Sequence, residues 1–106
     1  MAHLIVAKGP EQGREIEIPA EGARMGRSSS NDIVFEDPSL SSFQGRFFFK
    51  SDGTLWVTDF GSTNQTLVNG HPVSEIQLQR GDLVDAGAHV LRVVQSSLHG
   101  QPAAEP

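Results

Sequence analysis

Apolar residues recur along this chain in short runs, and turn-forming residues interrupt them before any run grows long. Leu4-Ile5-Val6 is a compact apolar run, and Glu15-Ile16-Glu17-Ile18 alternates polar and apolar up to Pro19. Strict alternation sends successive side chains to opposite faces, as a half-buried strand requires. Glu11-Gln12-Gly13 reads as the turn between these two strands. Arg24-Met25-Gly26-Arg27 and Ile33-Val34-Phe35 give two further strands, separated by the turn-rich Ser28-Ser29-Ser30-Asn31-Asp32. Arg46-Phe47-Phe48-Phe49-Lys50 is an aromatic strand, and Thr54-Leu55-Trp56-Val57-Thr58 answers it across Asp52-Gly53. Glycine accepts the positive φ that such a hairpin turn needs. Thr66-Leu67-Val68 runs into a second turn at Asn69-Gly70. Val73, Ile76 and Leu78 mark further short strands, Leu83-Val84 follows Arg80-Gly81-Asp82, and Val90 to Val94 closes the set.

No window of about eleven residues or more carries a capped 3.6-residue period, so no helix is expected. About ten short strands at turn spacing predict an all-β sandwich or barrel. Phe47 and Phe49 share one strand face and are expected in the core, with Phe48 on the other face. Phe43, in the preceding loop, is read as a staple for the loop or a contact for a bound peptide, with the staple favoured. Residues 1–95 form one expected domain. Ser96 to Pro106 is small, polar and Pro/Ala-containing, and reads as a flexible tail or linker. No internal repeat is present.

The 106 residues suit one core, and the absence of cysteine removes disulfides, thiolate metal sites and thiol nucleophiles. The N-terminal apolar run is too short for a signal peptide or a membrane span, which leads to the expectation of a cytoplasmic chain. The net charge of −5 argues against nonspecific nucleic-acid binding. It leaves room for one phosphate. Four basic residues (Arg24, Arg27, Arg46, Lys50) and three acidic ones (Asp32, Glu36, Asp37) make the stretch 24–50 +1, against −6 elsewhere.

Catalytic chemistry finds little support. His3, His71, His89 and His99 lie at no metal-ligand spacing and read as surface or structural histidines. There is no Gly-x-Ser-x-Gly elbow, and Gly26-Arg27-Ser28-Ser29-Ser30 lacks the lysine of a phosphate loop. Neither an enzyme nor a bound cofactor is expected. The same segment has another use. An arginine at a strand end presents a planar fork of donors, with serine hydroxyls and loop N–H groups beside it, and such a loop suits a dianionic phosphate.

The order of several short segments sharpens this reading. Met25-Gly26-Arg27 is followed by Asn31-Asp32-Ile33-Val34-Phe35 and Leu40-Ser41. Then come Trp56-Val57-Thr58-Asp59-Phe60-Gly61-Ser62-Thr63-Asn64, Val68-Asn69-Gly70, Leu78-Gln79-Arg80-Gly81-Asp82 and Gly87. In order and spacing, from about Leu4 to Val94, the chain resembles the forkhead-associated (FHA) family. The resemblance implies an eleven-stranded β-sandwich with a phosphothreonine-peptide site in loops at one end. It implies that Arg27 meets the phosphate, that Ser41 is the serine of the family's Ser-x-x-His motif, and that Asn64 holds the peptide backbone. Thr63 falls on a position that lines the phosphate pocket. Gly26 supports the site. The implied partner is a phosphothreonine protein made by a Ser/Thr kinase.

The chain departs from the family pattern at three of these positions. Gln44 stands where the family has the structural histidine of Ser-x-x-His, and an amide offers both a donor and an acceptor there. Ser42, also expected among the phosphopeptide-binding residues, stands where many members carry arginine or another long donor. Gln65 replaces the usual glycine after the asparagine, which costs of order 1 kcal/mol if that position needs positive φ. Two functions stay open on the sequence: a phosphothreonine reader, or a degenerate FHA-fold scaffold that binds a protein partner without phosphate.

Overall fold

The computed structural model describes residues 1–96. The expected tail therefore lies, apart from Ser96, outside the described residues. Eleven strands run β1 (Ala2–Lys8), β2 (Glu15–Ile18), β3 (Ala23–Gly26), β4 (Ile33–Val34), β5 (Gly45–Phe49), β6 (Leu55–Asp59), β7 (Thr66–Val68), β8 (His71–Val73), β9 (Glu75–Leu78), β10 (Leu83–Ala86) and β11 (His89–Gln95). They form a six-stranded sheet, β2-β1-β11-β10-β7-β8, and a five-stranded sheet, β4-β3-β5-β6-β9. Among the described residues there is no helix, and so none long and apolar enough to cross a membrane.

The alternation read in the sequence is what packs the two sheets together. Ala2, Leu4 and Val6 of β1 point inward, as do Ile16 and Ile18 of β2 and Leu55 and Val57 of β6. Phe47 is fully buried and Phe49 packs partly against the same core. Phe48 faces outward beneath the Arg46 guanidinium, 5.4 Å from its ring centre. Trp56, also outward, lies under the Lys50 ammonium. Asn69 and Gly70 take the positive φ values, 52° and 85°, expected of the tight turn between β7 and β8.

Three connections matter for function: residues 27–32 between β3 and β4, 35–44 between β4 and β5, and 60–65 between β6 and β7. The second is anchored in the sandwich itself. Phe35 and Leu40, outside any strand, are buried members of the core cluster. Burying one such side chain is worth about 1.5–3 kcal/mol, so the polar residues around Leu40 ride on a fixed support. Phe43 corrects one expectation. It is 44% exposed and does not staple its loop. Leu40 and Phe35 fill the inward positions instead.

Candidate functional site

Hydrogen bonds draw the three loops together at one end of the sandwich. Gly26 ends β3 where the first two loops close over it. A Cβ there would run into the Ser42 carbonyl and come within 2.8 Å of Asn31 Nδ2. That approach lets the Asn31 amide donate to the carbonyls of Ser28 and Ser42, both at 2.8 Å. Next along the chain, Arg27 donates its backbone N–H to the Ser41 carbonyl at 3.0 Å. Its side chain is exposed but not loose. Nε donates to the Leu40 carbonyl at 3.1 Å, and Nη2 to Ser42 Oγ at 3.3 Å. These two contacts fix the plane of the guanidinium and leave its Nη1 donors without an acceptor among the described residues.

Ser41 sits beside this fork. Its Oγ accepts the Thr63 N–H at 3.1 Å, which joins the second loop to the third. Asn64 makes the neighbouring join, donating from Nδ2 to the Ser39 carbonyl at 2.8 Å. Among the described residues, the side-chain oxygen of Asn64 and its second N–H have no partner. Thr63 and Asn64 are both exposed.

Gln44 holds the assembly from below. It is fully buried, and its Oε1 accepts the Ser41 N–H at 3.1 Å. Its Nε2 lies 3.0 Å from each of Ser62 Oγ, the Gln65 carbonyl and Thr66 Oγ1. The orientation of the amide follows from its neighbours. A carbonyl can only accept and a backbone N–H can only donate, so the nitrogen faces Gln65 and the oxygen faces Ser41. Ser62 and Thr66 in turn donate their hydroxyls to Asp59 Oδ1, at 2.5 and 2.7 Å. Asp59 Oδ2 accepts the N–H groups of Gly61 and Ser62. Burial works against the Asp59 charge, but the two hydroxyls and two N–H groups outweigh it and hold the carboxyl below the usual range.

A second support carries Ser39. Asp37 Oδ1 accepts both the hydroxyl and the N–H of Ser39, and Oδ2 accepts the Ala88 N–H at 2.8 Å. His89 Nδ1 lies 3.3 Å from Asp37 Oδ2, outside hydrogen-bonding alignment, and the buried ring stacks on Phe35. Burial opposes the Asp37 charge, yet the Ser39 and Ala88 donors, with attraction to His89, bring its pKa down to about 2. Gly87 abuts this support. A Cβ on it would fall 2.5 Å from Asp37 Oδ2 and 2.8 Å from Ser39 Oγ.

The five expected ligand residues, Arg27, Ser41, Ser42, Thr63 and Asn64, thus lie on one connected loop surface, with Gly26, Gln44 and Gln65 among its supports. Gln65 has φ = 63°, the left-handed region in which glycine is at ease. Sequence reasoning passed over Asn31, Asp37, Ser39 and Asp59 as loop ties. A short acid or amide followed by Ser or Thr within three residues is the signal that finds three of them.

A family model for the FHA domain matches residues 23–87. The chain belongs to the FHA family. FHA domains are phosphopeptide-binding signalling modules, not enzymes. The chain is 34% identical over 86 residues to the glycogen accumulation regulator GarA of Mycolicibacterium smegmatis, covering 81% of this chain and 54% of that protein. It is 33% identical over 84 residues to the oxoglutarate dehydrogenase inhibitor of Corynebacterium diphtheriae, covering 79% and 58%. The chain therefore spans just over half the length of these curated relatives. Among solved structures, the FHA domain of an Arabidopsis thaliana protein superposes with a TM-score of 0.82 at 28% identity, covering 97% of this chain and 90% of that one. The MEK1 FHA domain in complex with a HOP1 phosphothreonine peptide gives 0.70 at 25%, covering 89% and 95%.

Proposed function

We propose that this FHA domain reads phosphothreonine in peptides or proteins modified by a Ser/Thr kinase. Arg27 and Ser41 take the phosphate, Ser42 and Thr63 line its cradle, and Asn64 holds the peptide backbone. The observation that carries this reading is the Arg27 guanidinium, pinned by Leu40 and Ser42 with donors left over. A fork held in place loses little side-chain freedom when an oxyanion arrives, so most of the charge-assisted bonding becomes affinity. Ser41 adds a hydroxyl whose oxygen accepts from Thr63 and whose O–H is left to donate to a ligand. Gln44 keeps the loops joined despite replacing the family histidine. The solved MEK1 complex with a phosphothreonine peptide supports the same use of the fold.

The competing reading is a scaffold that binds a protein through this fold without phosphate. Phe43 and Phe60, each nearly half exposed on the site loops, are what favour it. Titration with matched peptides bearing phosphothreonine, phosphoserine or threonine separates the two. A reader prefers the phosphorylated forms, and prefers phosphothreonine to phosphoserine by a factor of several, since one methyl is worth at most about 1 kcal/mol. Its binding weakens as salt rises. Equal affinity for all three peptides removes the reading.

A further inference from the structure

A small cavity of about 270 Å3 opens beside Asn64 and is lined by Ser39, Asn64, Gln65, Leu67, Asp85 and Gly87. This is slightly under the roughly 300–1,000 Å3 of pockets for small organic molecules, and it suits a single side chain. Asn64 and Ser39 are shared with the phosphate-facing surface, because the Asn64 amide is tied to the Ser39 carbonyl. A peptide backbone held at Asn64 therefore passes the mouth of this cavity.

The lining selects one chemistry. Leu67 and Asp85 are cross-strand partners on β7 and β10, so their side chains lie next to each other on the outer face. Leu67 is half-buried and offers an apolar wall. Asp85 is half-buried and has no hydrogen bond or ion pair within the described residues. Its cross-strand neighbour on the other side is Val90, while Arg92 stands opposite Leu83 and makes no ion pair with it. An apolar wall ending in an unpaired carboxylate fits a side chain with a methylene stem and a cationic head. It disfavours a second phosphate or an acidic side chain.

We infer that the Leu67–Asp85 cavity is a specificity pocket for a lysine or arginine of the ligand, so that the domain reads a phosphothreonine with a basic residue at one fixed spacing. The inference rests on the phosphothreonine reading above and adds the class of sequence that the site selects.

The test is a positional scan of phosphothreonine peptides in which Lys, Arg, Gln and Glu are placed in turn at each position flanking the phosphothreonine. It is run on the parent domain and on Asp85→Asn, Asp85→Lys and Glu75→Gln. Glu75 is an exposed carboxylate on the other sheet and controls for overall charge. The parent binds three- to fivefold tighter, roughly the range for a partly exposed ion pair, when Lys or Arg replaces Gln at one position. Asp85→Asn levels that preference, Asp85→Lys reverses it toward Glu, and Glu75→Gln keeps it. A flat parent profile, a preference that survives in Asp85→Asn, or one lost equally in Glu75→Gln overturns the inference while phospho-dependent binding stands. Absence of binding to any phosphothreonine peptide overturns the underlying reading and the pocket with it.

Discussion

Gln65 holds a backbone angle of φ = 63° that L residues adopt only at some cost. Its carbonyl must point at Gln44 Nε2 for the loops to join, and that demand outweighs the strain. Gln65→Gly relieves the strain and is expected to raise stability by about 0.5–1 kcal/mol, less whatever the looser unfolded chain regains. Chemical denaturation checks it, and an unchanged or lowered midpoint would contradict the strain argument. Gln44 is the more consequential residue. Gln44→Ala strands the Ser41 N–H and the Gln65 carbonyl and is expected to cost about 2–4 kcal/mol, with loss of peptide affinity alongside. Gln44→His places there the residue that the family resemblance implies, keeps a donor and an acceptor, and is expected to hold both stability and binding closer to the parent. Loop residues of this kind were partly legible in the sequence. Gly26-Arg27 and the Asn64 run stood out because their spacing matched a family pattern. Asn31 and Asp59 lay inside that pattern with no role read for them, and Asp37 lay outside it, because a short polar side chain that ties loops together looks, in a sequence, like any solvated one.

The β4–β5 loop decides whether the site is formed at all. It is clamped from inside by Phe35 and Leu40 and from outside by Asp37, which gathers Ser39, Ala88 and His89 around one carboxyl. The Asp37 pKa lies at about 2 in the fold against an ordinary 3.8. A depressed carboxylate pKa favours the folded state wherever the unfolded chain is also ionised. This contribution is present above about pH 4 and disappears as pH falls from there through about 2. Unfolding midpoints measured between pH 7 and pH 2 are expected to fall more steeply for the parent than for Asp37→Asn, which has no such proton to gain. Parallel slopes would contradict the role given to Asp37. The strands themselves were the easier reading. Short apolar runs, alternation and Gly-containing turns located most elements, with ends shifted by a residue or two where pairing, not composition, sets the boundary, while β8 and β9 were seen only as scattered apolar positions around Val73, Ile76 and Leu78. Phe43 was misread because an aromatic residue in a loop resembles an anchor. Only the packing shows that Phe35 and Leu40 already occupy the inward positions.

At the scale of the molecule, the sandwich is the frame, and the proposed function places recognition in what its loop end presents. The all-β class was legible because about ten short strands at turn spacing leave a sandwich or a barrel, and the family resemblance supplied the eleven-stranded sandwich that is found. What the loop end does was less so, since residues from three separated loops must meet before the chemistry exists. The net charge of −5 sets the general field against anions, so a phosphate-dependent ligand has to be won locally, and the proposed function gives that part to Arg27. The most direct measurement is the affinity of one phosphothreonine peptide, and of its unphosphorylated twin, for the parent domain and for Arg27→Ala. The variant is expected to fold normally, because Arg27 is exposed and its side-chain bonds lie at the rim of the loops. The account predicts that the parent binds the phosphorylated peptide preferentially. It predicts that Arg27→Ala lowers that affinity about ten- to a hundredfold, the equivalent of roughly 1.5–3 kcal/mol for a hydrogen-bonded charge, and leaves the unphosphorylated peptide unaffected. Phosphopeptide affinity unchanged in a folded Arg27→Ala domain would contradict it.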